Sequence, residues 1–225
     1  MTRMSLGKLV SEAIDKMDAS DPEGALFAIC AAIDKTAQDE YGKSRKEPYK
    51  SFIRDNFPLI SRAAFGSSSI GGMKFAFRHP SPRPEHPRDG YWTIEDVLYH
   101  VVRCGLYHEA EVLPQVKFVA GTTFSGGGDQ IEISASIICG LIAAVVLAPC
   151  NRGQIAPKEG ILNHRGVPLP ISKLWGRRDE FTWLVDALDT VEAFQKEQAR
   201  TKQDNTATGA GTPVKTEAQK PNEAT

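Results

Sequence analysis

The chain has 225 residues, 41% of them apolar, with 27 Lys and Arg against 28 Asp and Glu and a formal net charge of −1 at pH 7. That length fits one ordinary domain with extensions, and the charge balance excludes binding to nucleic acid or membrane through net charge alone; any basic surface must be local. Cys30, Cys104, Cys139 and Cys150 lie far apart with no C-x-x-C pair, which reads as reduced thiols in a cytoplasmic protein and excludes a disulfide frame or zinc site.

Ser5 to Met17 reads as an amphipathic helix of mixed charge, without the apolar centre of a secretion signal. Asp21-Pro22-Glu23 starts a second helix with a capping acid and a proline in the first turn, and Gly42 ends it after Tyr41. Its Leu26, Ile29, Cys30, Ile33 and Ala37 keep helical spacing. A third helix is expected over Tyr49 to Asn56, stopped by Phe57-Pro58, and a fourth over Leu59 to Ala64.

Gly66 to Gly90 carries glycines and then prolines at 80, 82, 84 and 87, so little regular structure is expected there. Thr93, with Asp96 three residues on, opens a helix that runs to Leu113 before Pro114. Val116 to Ala120 and Gln130 to Ser134 read as two strands of a hairpin turning at Ser125 to Asp129.

Ile137 to Leu147 is apolar throughout but too short to span a bilayer, so it reads as a buried helix. Asn151 to Trp175 is loop-rich yet carries its own apolar residues. A last helix covers Arg178 to Ala199, with Phe181, Leu184, Leu188, Val191 and Phe194 on one stripe. The expected layout is one domain over residues 1–200 and a disordered tail over 201–225, where apolar residues are almost absent.

The residues that point most clearly to chemistry are Arg103 and His108, with His100 just upstream and Tyr107 and Glu109 beside them. Arginine grips phosphate with a planar fork of donors, and histidine moves a proton near neutral pH. On an ideal helix a five-residue step turns through roughly 500°, so Arg103 and His108 point about 140° apart. One helix cannot aim both at one group; a twofold pairing of helices could bring the arginine of one copy to the histidine of the other. Arg103 has no acid at its helical contact positions (Tyr99, His100, Leu106, Tyr107), which leaves its guanidinium available for phosphate. The competing reading is structural: a buried histidine on a carbonyl and an arginine in an ion pair.

The stretch Leu98 to Glu109 resembles the signature helix of the HEPN superfamily (higher eukaryotes and prokaryotes nucleotide-binding), with its arginine, small or polar residue and histidine. Ala28 to Tyr41 resembles a second helix of bacterial HEPN-like proteins. Cys104 stands where many members have asparagine. The resemblance covers roughly Gly24 to Leu147. It implies a mainly α, HEPN-like helical bundle, here with a small β-hairpin insertion, that homodimerises and acts as a metal-independent endoribonuclease in a defence or toxin–antitoxin setting. Arg103 would hold phosphate, and His108 would act on the ribose hydroxyl or the leaving oxygen. Other members are non-catalytic dimerisation or nucleotide-binding modules.

Lys43, Arg45, Lys46, Lys50 and Arg54 interleave with Tyr41, Tyr49 and Phe52, a run able to follow an RNA backbone or merely to solvate a helix face. Arg165, Lys173, Arg177 and Arg178 belong to a second basic stretch, the better candidate for a phosphate-facing, RNA-binding surface, its alternative being a soluble loop. Asp34, beside Ile33 on an apolar face, is the expected carboxylate orienting a catalytic histidine. His79 and His86 match no metal-ligand spacing, and neither metal nor cofactor is expected.

Overall fold

The computed structural model describes residues 5–42, 46–66, 72, 74–108, 115–121, 124–164 and 166–208. The fold is mainly α. Helix α1 (Leu6–Asp18) is capped by Ser5, whose side chain accepts the Lys8 N–H, and α2 (Pro22–Tyr41) by Asp21, which accepts the Gly24 N–H at 2.9 Å. Both starts follow from side-chain oxygens taking the orphan amides of the first turn.

Helix α3 is one continuous element, Lys46–Phe65, in place of the two helices expected on either side of Pro58. Proline removes one intrahelical bond, but Phe52, Ile53, Phe57 and Ile60 are buried on both sides of it, and that shared burial carries the helix through.

Helix α6 (Ile137–Leu147) is buried almost all round, as its apolar sequence predicts. It packs on α3 so closely that a Cβ on Gly140 would run into the Ile60 carbonyl oxygen, so this crossing needs glycine. Where α6 ends, the Asn151 side-chain amide donates to the Val145 carbonyl at 2.7 Å and to Thr36 Oγ1 at 3.0 Å, tying the α6 terminus to α2 through a buried polar link.

The small sheets differ from expectation. Strands β1 (Lys74–Ala76) and β2 (Tyr91–Thr93) pair antiparallel across the proline-rich segment. Strand β3 (Val116–Val119) runs parallel to β5 (Gln130–Ser134), and β4 (Phe124–Gly127) makes the hairpin with β5. The expected hairpin between the first and last of these is therefore corrected: the turn at Gly128-Asp129 joins β4 to β5, and β3 adds on the far side of β5. The excursion after α6 holds a third pair, β6 (Ile161–His164) with β7 (Val167–Pro170).

The helix after Thr93 is not uniform. Thr93 and Asp96 form the capping box read from sequence, opening α4 (Ile94–Asp96). Val97–Arg103 is then π-helical, and α5 (Cys104–His108) returns to α geometry. Residues 109–114 lie outside the described residues, so the expected end at Leu113 does too. Helix α7 spans Arg178–Thr208, longer than the expected Arg178 to Ala199.

The chain divides into two units, residues 1–182 and 183–225. In the first, Phe181 is buried and meets the His164 ring edge-on at 6.0 Å. In the second, Trp183, Val191 and Phe194 are exposed. Among the described residues no helix is long and apolar enough to cross a membrane.

A basic pocket lined by three histidines

The π turn decides where the motif side chains go. Its wider i→i+5 bonding, seen in the Cys104 N–H donating to the Tyr99 carbonyl, stacks residues four and five apart. Arg103 accordingly lies over the Tyr99 ring, its guanidinium carbon 5.3 Å from the centroid.

Arg103 is not available for phosphate in the way the sequence implied. Its Nε and Nη2 both donate to Asp34 Oδ2, at 3.2 and 2.9 Å, and its side chain is only 10% exposed. The carboxylate comes from α2, 69 positions away, where helical spacing within one element could not show it. Burial works against the charged guanidinium, but the Asp34 hydrogen bonds and charge outweigh it, and the pKa of Arg103 rises above its ordinary value. Asp34 thus meets the motif helix through the arginine. Next to this pair, the Tyr49 hydroxyl donates to Cys30 Sγ at 3.3 Å in full burial, and burial pushes the Cys30 thiol up to about 12.

Arg103 and His100 line a cavity of about 190 Å³ together with Tyr99, Lys46, Arg83, Glu85, His79 and His86. The histidines stand in a row: ring centroids of His79 and His86 are 4.5 Å apart, and those of His86 and His100 5.0 Å apart. Trp92 backs all three, at 5.9, 5.0 and 6.0 Å from His79, His86 and His100.

Backbone amides set two of the rings. The Ser81 N–H donates to His79 Nδ1 at 3.0 Å, and the Arg83 N–H donates to His86 Nδ1 at 3.1 Å. The neutral form of each ring therefore carries its proton on Nε2. His100 Nε2 is buried with no hydrogen-bond partner among the described residues.

Charge at the pocket favours neutral imidazoles. Burial, then Lys46 and His86, push His100 down to about 4, against a smaller opposing pull from Asp96. Burial and the neighbouring His79 lower His86 as well. Lys50 is engaged nearby with Asp96 at 2.6 Å; burial acts to raise that carboxyl, but Lys50 and Thr93 hold it below its ordinary value. Lys46 and Arg83 carry no ion pair among the described residues, so the wall offers two cations against the single carboxylate of Glu85.

The other expected site residues fall elsewhere. Lys43, Arg45, Glu109 and Arg165 lie outside the described residues, and for Tyr107 and His108 only the helical backbone is described. Arg177 pairs with Glu180 at 3.0 Å and Arg178 with Glu40 at 3.5 Å, while Lys173 is exposed. These three are not brought to the pocket. His79, His86 and Arg83 were missed as site residues because they sit in the proline-rich segment, far in sequence from His100. Among the described residues no group of three or more His, Cys, Asp or Glu has an arrangement suited to a metal ion.

The molecule is thus a mainly α protein with a histidine-rich, cationic pocket beside a π turn. The chain belongs to the Rv1289 family, whose pattern it matches over residues 5–201. Its relatives include the uncharacterized proteins Rv1289 and MT1327 of Mycobacterium tuberculosis and Mb1320 of Mycobacterium bovis. Each is 26% identical over 197 residues, covering 81% of this chain and 89% of the relative. No solved structure matches.

Proposed function

We propose that the pocket binds a phosphate-bearing ligand, a nucleotide or a strand of RNA. The supporting observation is the placement of Lys46 and Arg83 beside a row of imidazoles, two of which keep Nε2–H as the donor of their neutral form. A phosphate entering here meets point charge from lysine and arginine and hydrogen bonds from imidazole. Burial first, and then neighbouring cationic groups, depress His86 and His100; a bound phosphate opposes the second of these, which favours proton uptake on binding. Calorimetric titration with pyrophosphate and with AMP tests this. Lys46→Ala and Arg83→Ala are expected to weaken both ligands by roughly tenfold each, in line with a lost charge-assisted hydrogen bond. Equal affinity in wild type and both variants overturns it.

A second reading, metal-independent cleavage of RNA by a HEPN-like homodimer, draws support from imidazoles about 5 Å apart beside cations and from the resemblance at Arg103 and His108. One imidazole would accept the 2′-hydroxyl proton as that oxygen attacks phosphorus. Another would protonate the departing 5′-oxygen, leaving a cyclic phosphate. Arg103, bound to Asp34, would position the π turn while Lys46 and Arg83 held the phosphate. The reading carries with it an antitoxin partner and a defence setting. It expects RNA, but not DNA, to be cut in EDTA, with loss of cutting in His108→Ala and His100→Ala that still melt cooperatively. Intact RNA in that assay removes the catalytic reading and leaves the binding one. Light scattering that returns a monomer removes the dimer.

A further inference from the structure

The apolar residues of α7 fall on two faces. At about 100° per residue, Phe181 and Val185 share one face, and both are buried. Trp183, Ala187, Val191, Phe194 and Gln198 share another, within about 80° of one another and centred about 150° from the first. On this second face Trp183, Val191 and Phe194 are 72%, 53% and 64% exposed. Their spacing is that of a stripe which one helix buries against another, and large apolar side chains grouped in water mark an interaction surface.

Charge is divided along the same helix. Residues 183–192 hold Asp186, Asp189 and Glu192 and no base, whereas residues 193–202 hold Lys196, Arg200 and Lys202 against Glu197. Glu192 and Lys196 pair within the helix at 2.5 Å, across the boundary between the halves. Asp186 and Arg200, both exposed, stand within about 40° of each other on one flank of the stripe. A second copy laid parallel would set acidic half against acidic half. Laid antiparallel, it sets acidic against basic, opposes the two helix dipoles and brings Asp186 of each copy abreast of Arg200 of the other. The same register places Val191 of one copy over Phe194 of the other. The helix is thus complementary to itself, whereas an anionic membrane would repel its acidic half.

We infer that the exposed face of α7 docks a second copy of this chain, the two helices antiparallel, with Trp183, Val191 and Phe194 at the centre and Asp186 and Arg200 at the flank. This interface lies outside the histidine pocket and does not rest on the phosphate-binding reading. It also differs from a pairing through the helix of Arg103 and His108.

Sedimentation of the full chain over a range of concentrations tests it, together with acrylamide quenching of tryptophan fluorescence. Trp92 and Trp175, the other two tryptophans, are 2% and 5% exposed, so quenching reports Trp183. The wild type is expected to dimerise, and its quenching to fall as the dimer fills. Val191→Glu with Phe194→Glu should weaken the dimer roughly a hundredfold or more, since burying the new carboxylates is costly. Asp186→Arg and Arg200→Glu should each raise the dissociation constant roughly tenfold, because two symmetry-related contacts are reversed at once, and the two together should restore it. A wild type that stays monomeric up to about 1 mM overturns the inference and leaves the face to a different partner. A dimer that survives Val191→Glu with Phe194→Glu, or leaves Trp183 as quenchable as in the monomer, overturns it in favour of an interface elsewhere. Failure of the double charge reversal to restore affinity overturns the antiparallel arrangement.

Discussion

Arg103 is buried on Asp34, and the cost of breaking that pair is the first quantity the structure predicts. Removing one partner leaves a charge in a poorly solvated place, so Arg103→Met or Asp34→Leu should each lower the unfolding free energy by about 3 kcal/mol. The double variant should lose clearly less than the sum, because neither charge is then stranded. Urea denaturation of the four proteins measures it, and strict additivity would show the pair to be uncoupled. His100 gives a second residue-scale prediction. Its folded pKa is depressed to about 4, below the roughly 6.5 of an unperturbed histidine. The unfolded chain thus binds more protons between those values. The contribution of His100 is full above about pH 6.5 and is lost as pH falls toward about 4, a change of up to about 3 kcal/mol. His100→Phe should flatten this part of the stability–pH curve, and an unchanged slope would mean that other groups carry it.

At the scale of elements, two close fits are testable. Gly140→Ala gains helix propensity of about 1 kcal/mol but pushes a methyl into the Ile60 carbonyl oxygen. Backbone against backbone cannot yield cheaply, so a net loss of about 1–3 kcal/mol is expected from the melting curve. A rise in melting temperature would mean that α3 and α6 move apart at little cost. The capping box at Thr93 was legible in sequence, as were the starts of α1 and α2 and the extent of α6, because each depends on side chains within one turn of the backbone they satisfy. The break expected at Pro58 and the pairing of β3 were not legible. Helix α3 is held across Pro58 by burial against other elements, and β3 finds its partner in β5 across an intervening strand. The π turn escaped for a related reason: Val97 to Arg103 has an ordinary helical pattern, and the extra residue per turn shows only in the bonding.

For the whole molecule, a ligand that binds only the folded state must stabilise it. A phosphate ligand at a hundred times its dissociation constant should add about 2.7 kcal/mol, and Lys46→Ala at the same ligand concentration should gain much less. Differential scanning calorimetry with and without pyrophosphate reads this; identical gains in the two proteins would place binding away from the pocket. The site belongs to the first unit, residues 1–182, where the proline-rich segment, α3 and the π turn meet. This convergence explains why half of it was hidden: His79 and His86 have no periodicity of their own, and only the antiparallel pairing of β1 with β2 around them carries their rings to Trp92 and His100.

The amino-acid sequence by itself determined the mainly α character, the capped helices and the buried α6. Those follow from spacing, caps and polarity, which act over a few residues. Only the tertiary structure decided that Arg103 is bound to Asp34 and that His79 and His86 join His100. Each of these is a meeting of segments distant in the chain, and burial and charge at such a meeting depend on how the elements pack.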